Sequence, residues 1–236
     1  SQQMIVNNYD TITKISNDFN KDFSMEDLLD IHRSISKSTL DNSEDEGVFR
    51  KNDDIYVVDS ITGSVAHTPP SYNEIIDMIV DLCEFANNDN NDNFIHPIIK
   101  GIIIHFILAY IHPFVDGNGR TARSLFYWYM IKKGYWLTEY LSISRIIYTN
   151  KKSYEKAFLY TENDDNDLSY FIQYHLNVMK KAFEDLKKYL QRKIDEQQNV
   201  HRFIGVLNTN DRQRYVFKVI MENKQIIITP KELASQ

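Results

Sequence analysis

Two apolar stretches with helical spacing, residues 96–111 and 120–133, are joined by a short segment that is neither apolar nor uniform. Across the junction the chain reads Ile111-His112-Pro113-Phe114-Val115-Asp116-Gly117-Asn118-Gly119-Arg120-Thr121-Ala122-Arg123. A histidine, a carboxylate, a Gly-Asn-Gly turn and two arginines are thus packed between two segments that must be buried. That is the inventory of a phosphate site.

Each residue type has a physical reason to be there. Gly117, Asn118 and Gly119 tolerate backbone conformations that bulkier residues resist, so successive N–H groups can converge on an anion. Beyond the turn, Leu125, Phe126, Trp128, Tyr129 and Ile131 form a mostly buried helical run, and Gly134 stands where a C-terminal cap belongs. The turn is therefore the N-terminus of a helix, which offers unpaired N–H donors and about half a positive charge. Arg120 and Arg123, three residues apart, are expected on one face of the first turn as a clamp over the same anion. Asp116 is the hard oxygen ligand for Mg2+ against a polyphosphate. His112 is placed to serve as a general base at near-neutral pH.

Taken singly, these features have ordinary explanations: a His-Pro pair ends helices, Gly-Asn-Gly makes loops, and arginines three apart line solvated faces. Together they read His-Pro-Phe-x-Asp-Gly-Asn-Gly-Arg-x-x-Arg, which resembles the signature of the Fic (Fido) family with every defining position filled. The flanks are similar too: Ile31-His32, Gly47, Phe49-Arg50 and Pro69-Pro70 before the motif, and Leu141 to Ser144, Tyr154 and Asp167-Leu168 after it. The resemblance covers roughly residues 25–195.

It implies an all-α bundle with one small β-hairpin, and transfer of AMP from ATP to a Ser, Thr or Tyr hydroxyl of a target protein. By that resemblance His112 is the general base and Asp116 holds Mg2+. Gly117, Asn118, Gly119, Arg120 and Arg123 bind the phosphates, and Phe114 anchors the loop in the core. The hairpin, formed by Ile55, Tyr56, Val57, Val58 and Ser64, Val65, Ala66, His67, is the flap along which the target protein docks by strand addition. Tyr154 is a candidate for the adenine pocket, although Ser153 stands where the family often has an aromatic residue. The family's inhibitory motif has no good match; Thr161 to Asp165-Asn166 comes nearest. Any inhibitory helix would then lie upstream or on a partner chain, and Arg123 is expected to be unrestrained in this chain. A homodimer is also open.

The remaining residues set limits. Capping-box patterns at Ser24/Asp27 and Ser71/Glu74 predict helix starts, with Leu28, Leu29, Ile31 and Ile35 on one face of the first helix. His32 and His105 are expected as packing histidines, and a metal pair of His105 with His112 lacks a third ligand. A connector or short helix is expected over 141–149, a helix over 151–160 and a long amphipathic one over 168–198. The acidic run 164–167 is expected to be a solvated loop. With one cysteine, Cys83, no internal disulfide can form, and a net charge of −6 argues against a surface that coats nucleic acid. No apolar run is long enough to span a bilayer and no secretory signal is visible, so no membrane partner and a cytoplasmic setting are expected.

The domain expectation is a Fic domain over 1–200 and a small appendage over 201–236. In the appendage a helical stretch at 211–223 and a capped helix start at Thr229-Pro230-Lys231-Glu232 resemble the opening of a winged helix-turn-helix. DNA is a partner only if that element is completed. The alternatives to AMP transfer are a nucleotide-sensing, DNA-associated regulator and the transfer of another phosphate-linked group at the same site.

Overall fold

The computed structural model describes residues 2–17, 21–58, 63, 65–88, 94–206, 210–213 and 215–216. It is helical, with a single two-stranded sheet among the described residues. The chain divides into two units, Ser1–Ala182 and Phe183–Gln236.

The first unit opens with α1 (Gln2–Asn17) and α2 (Met25–Ser36), which pack on each other. The expected capping box starts α2: Ser24 Oγ accepts the Asp27 N–H at 3.2 Å, and Asp27 Oδ2 accepts the Ser24 N–H at 3.0 Å. Leu28, Ile31 and Ile35 are buried with His32 between them. The second capping box does not form. A short 3₁₀ turn, Tyr72–Glu74, precedes α3 (Ile75–Asn87), and the Ser71 hydroxyl makes no cap bond. The Glu74 N–H that the box needs goes instead to the Ser71 backbone carbonyl at 3.0 Å, closing the 3₁₀ turn, while the Ser71 hydroxyl donates to Asp53 Oδ2 at 3.1 Å and the Tyr72 N–H to Asp53 Oδ1 at 2.6 Å.

The hairpin is shorter than its two four-residue runs suggest. β1 (Val57–Val58) pairs antiparallel with β2 (Val65–His67), Val57 opposite His67 and Val58 opposite Val65, with a bulge between them. Ile55 and Tyr56 precede the strand, while Ser64 and the Ile61-Thr62 turn lie outside the described residues.

Two helices form the centre. Pro97 begins α4 (Pro97–Ile111), and the His96 ring caps it by accepting the Ile98 N–H. Gly101 lets α5 (Asn118–Lys132) approach closely: a Cβ there would lie 3.2 Å from both Met130 Sδ and Tyr129 Cδ1. Helix α5 starts two residues earlier than Arg120, since Gly117 takes φ +83° as its N-cap. It ends as a Schellman motif, with Gly134 N–H on Ile131 O and Tyr135 N–H on Met130 O. Leu28, Ile79, Leu108, Ile111, Leu125 and Trp128 belong to the core that α2, α3, α4 and α5 share.

After a 3₁₀ stretch at Trp136–Tyr140 come α6 (Ile143–Thr149), α7 (Lys151–Asn163) and α8 (Ser169–Val206). Asp165 and Asn166 turn the chain between α7 and α8 with positive φ. In the second unit the described residues are the later part of α8, Asn210 and helical residues at 211–213 and 215–216. The rest of the expected 211–223 helix and the winged-helix start lie outside the described residues. Among the described residues no helix is long and apolar enough to cross a membrane.

Candidate active site

His112 is the C-cap of α4 and sits in the left-handed region, φ 49° and ψ 56°. For a non-glycine residue that conformation costs roughly 1–2 kcal/mol, so the surroundings must hold it. Its Nδ1 lies 3.1 Å from Ala109 O. A carbonyl only accepts, so the proton is on Nδ1 and Nε2 carries a lone pair. Burial pushes the ring down to about 4, with the Ala109 bond opposing. The imidazole is therefore neutral well below pH 7, instead of titrating near neutrality as its ordinary value suggests.

The loop after it is tied down through its carbonyls. Arg50 Nε donates to His112 O at 3.0 Å, and the Arg50 backbone N–H to Pro113 O at 2.9 Å. The Asn118 amide accepts the Phe114 N–H at 2.8 Å and donates to Phe114 O at 2.7 Å. His32 Nδ1 accepts the Gly47 N–H at 2.8 Å, which leaves its Nε2–H to donate to Asp116 O at 2.9 Å. Thr121 closes Gly117 O through both its N–H and its hydroxyl. Phe114, fully buried, lies between the His32 and Phe49 rings. With the carbonyls engaged by the protein, the amide edge at the start of α5 is left to face an anion.

Several of these holders were not visible as such in the sequence. His32 is a packing histidine as expected, but it also bonds the loop, and burial holds it below its ordinary value in the neutral form this requires. Asn118 contributes a buried side chain that braces the loop from within. Arg50 carried no signal beyond its place in the family-like flank before the hairpin.

The two arginines diverge instead of sharing one face. Arg120 Nη2 pairs with Asp116 Oδ2 at 3.0 Å, and its Nη1 donates to Thr39 Oγ1 at 2.8 Å and Ile35 O at 3.3 Å. Arg123 Nε donates to Ser144 Oγ at 3.0 Å at the start of α6. The reason is that a helix fixes where side chains leave the backbone and not where long ones end. Asp116 itself is 66% exposed at its side chain, open enough to receive a hydrated cation. Among the described residues no cluster of three or more His, Cys, Asp or Glu forms a ready-made metal cage.

Tyr154 stands among rings. Its hydroxyl is 3.1 Å from His105 Nε2, and Phe158, Phe171, Tyr174 and His175 surround it. His105 is fully buried, and burial holds it well below its ordinary value. On the hairpin, His67 Nε2 donates to Tyr110 O at 2.7 Å, and Nδ1 lies 3.0 Å from Glu162 Oε2 on α7. These contacts tie β2 to the last turn of α4 and to α7.

This geometry can be set beside known proteins. The family model described as "Fic/DOC family" matches residues 22–130, a segment that contains α2, the hairpin, α3, α4 and nearly all of α5. The chain carries a Fic/DOC-family domain over these residues. Among curated proteins, this Fic chain is 33% identical over 112 residues to the protein adenylyltransferase Fic of Drosophila mojavensis, covering 48% of this chain and 20% of that protein. The Drosophila melanogaster protein of the same name is 32% identical over 114 residues, covering 48% and 21%. The Fic chain spans about a fifth of the length of these relatives. Its fold is that of a Fic family protein from Desulfovibrio desulfuricans G20, with a TM-score of 0.67 at 20% identity over 99% of this chain and 62% of that one. Fic-1 from C. elegans (aa134–508) gives 0.57 at 22% identity, over 80% and 51%.

Proposed function

We propose that this Fic chain transfers AMP from ATP to a Ser, Thr or Tyr hydroxyl of a target protein, with pyrophosphate leaving. One observation carries the reading: His112 keeps an unprotonated Nε2 in the same short loop whose carbonyls at His112, Pro113, Phe114 and Asp116 are engaged by the protein and which ends at the N-terminus of α5. A base and an anion site are thus carried by one short, fixed loop, which suits attack of a hydroxyl on a phosphate. The names of the Drosophila relatives, protein adenylyltransferase, point the same way.

In this reading His112 Nε2 takes the proton of the attacking hydroxyl. The amides of Gly117, Asn118 and Gly119 at the start of α5 hold the phosphates, with Phe114 fixing the loop below them. Arg123, close above Gly119, and Arg120, close to Gly117, neutralise the leaving pyrophosphate, each exchanging a protein partner for phosphate oxygens. A single exposed carboxylate suits Mg2+, which keeps most of its waters, and Asp116 would hold it once Arg120 turns to the phosphates. Bound there, Mg2+ would screen the polyphosphate charge. The flap residues 55–58 and 64–67 would pair with an extended target segment, and Tyr154 would border the adenine from the ring cluster.

The test is transfer of label from ATP carrying a tagged α-phosphate, with Mg2+ present, comparing this chain with His112→Ala on itself and on a lysate. Label on protein is expected, and loss of at least a hundredfold in the variant. Equal labelling by both proteins would sink the reading.

A further inference from the structure

Arg50 is a cation with only 1% of its side-chain surface exposed. A buried guanidinium is tolerated only when its N–H groups are met, and a single fork that reaches several elements holds them in one geometry. Here Nε donates to His112 O at 3.0 Å, Nη1 to Asn52 O at 2.9 Å and Asp53 Oδ1 at 2.8 Å, and Nη2 to Pro70 O. Residues 50–53 lead into the hairpin and Pro70 follows it. Asp53 extends the network by accepting from Ser71 Oγ and the Tyr72 N–H. Both feet of the flap and the carbonyl of the base are therefore gathered on one planar group.

His67 makes a second tie, from β2 to Tyr110 O and to Glu162, but both contacts hold one strand only. The Arg50 fork spans both feet and reaches the backbone of His112 itself. We propose that Arg50 is a positioning residue that fixes the flap, and so the hydroxyl of a target segment docked on it, relative to His112. This rests on the AMP-transfer reading above. Arg50 donates to the carbonyls of His112, Asn52 and Pro70 and to the Asp53 carboxylate, and none of these bonds goes to Gly117, Asn118 or Gly119, so its effect falls on turnover and not on nucleotide affinity.

The experiment uses the full chain, ATP labelled at the α-phosphate, Mg2+ and a lysate as the source of acceptors, with initial labelling rates followed against ATP concentration. Arg50→Lys keeps the charge and loses the fork; Asp53→Ala removes an exposed carboxylate from the same network and leaves the Arg50 contact with His112 in place. The expected result is a fall in kcat of at least tenfold for Arg50→Lys and of severalfold for Asp53→Ala, with KM for ATP within twofold of wild type. An unchanged kcat, or a fall matched by an equal rise in KM for ATP, would overturn the proposal, the latter marking Arg50 as general scaffolding. If Arg50→Lys fails to fold, Asp53→Ala decides by the same criteria. A wild-type chain that labels nothing would overturn the AMP-transfer reading and this one with it, a result distinct from a labelling wild type with unaffected variants.

Discussion

The imidazole of His32 lies flat on the ring of Phe114, with centroids 3.7 Å apart and planes 2° from parallel. From that position it joins Gly47 N–H to Asp116 O, residues sixty-nine apart in the chain. His32→Ala would open a cavity under Phe114 and strand a buried donor and acceptor together. A loss of about 3 kcal/mol is expected, read from urea melts. His32→Gln, which can still donate to Asp116 O, should recover part of it.

Gly47 and Gly119 predict opposite outcomes for the same change. Gly47 has φ +72°, and a Cβ there would meet Leu29 O at 2.9 Å, so Gly47→Ala should cost about 2 kcal/mol or more. At Gly119 a Cβ meets only the end of Arg123, Nη1 at 3.3 Å, and that side chain can move. Gly119→Ala should therefore melt close to wild type while ATP affinity, followed by calorimetry, drops because a methyl stands over the amide edge.

Asn118→Asp separates the two bonds of one side chain. The carboxylate still accepts the Phe114 N–H but can no longer donate to Phe114 O. A loss of about 1–3 kcal/mol is expected from the stranded carbonyl, together with weaker ATP binding from the new negative charge at the α5 N-terminus. Asn118→Leu, which adds no charge, should lose stability without the second, electrostatic effect, visible as a difference in the salt dependence of binding.

Acid should destabilise the fold before it silences His112. His105, fully buried, lies well below its ordinary 6.5, His175 is pushed down to about 3 and His112 to about 4, in each case chiefly by burial. Between about pH 6.5 and 3 the unfolded chain binds protons that the folded chain refuses. Stability then falls as pH drops through that window and is flat above it, by at most about 1.4 kcal/mol per pH unit for each histidine. Thermal melts from pH 8 to 4 should show the midpoint fall only below about pH 6.5, and labelling activity should track the folded fraction.

What the sequence revealed was what lies close along the chain. The junction from Ile111 to Arg123, the Ser24–Asp27 cap and the glycine that ends α5 are each settled within one or two helical turns, and periodicity or spacing exposes them. Ser71 looked like another such cap, but its hydroxyl goes to Asp53, eighteen residues earlier. The Arg50–His112 and His32–Asp116 bonds join residues 62 and 84 apart, and only the folded core brings them together. Arg120 and Arg123 show the same limit at the level of side chains: their spacing is local, but Thr39 and Ser144 decide where they end.

In this tightly held loop Val115 is 43% exposed, while both its neighbours in the chain have a backbone carbonyl or amide tied to the protein. Its side chain is a handle on an otherwise fixed surface. Cys83 is the chain's only thiol, half-buried, and burial pushes it up to about 11, so it is almost wholly protonated at neutral pH. Val115→Cys would thus be alkylated far faster than the native cysteine. A fluorophore carried there would sit at the rim of the anion site and report nucleotide arriving, with no need to know what the protein modifies.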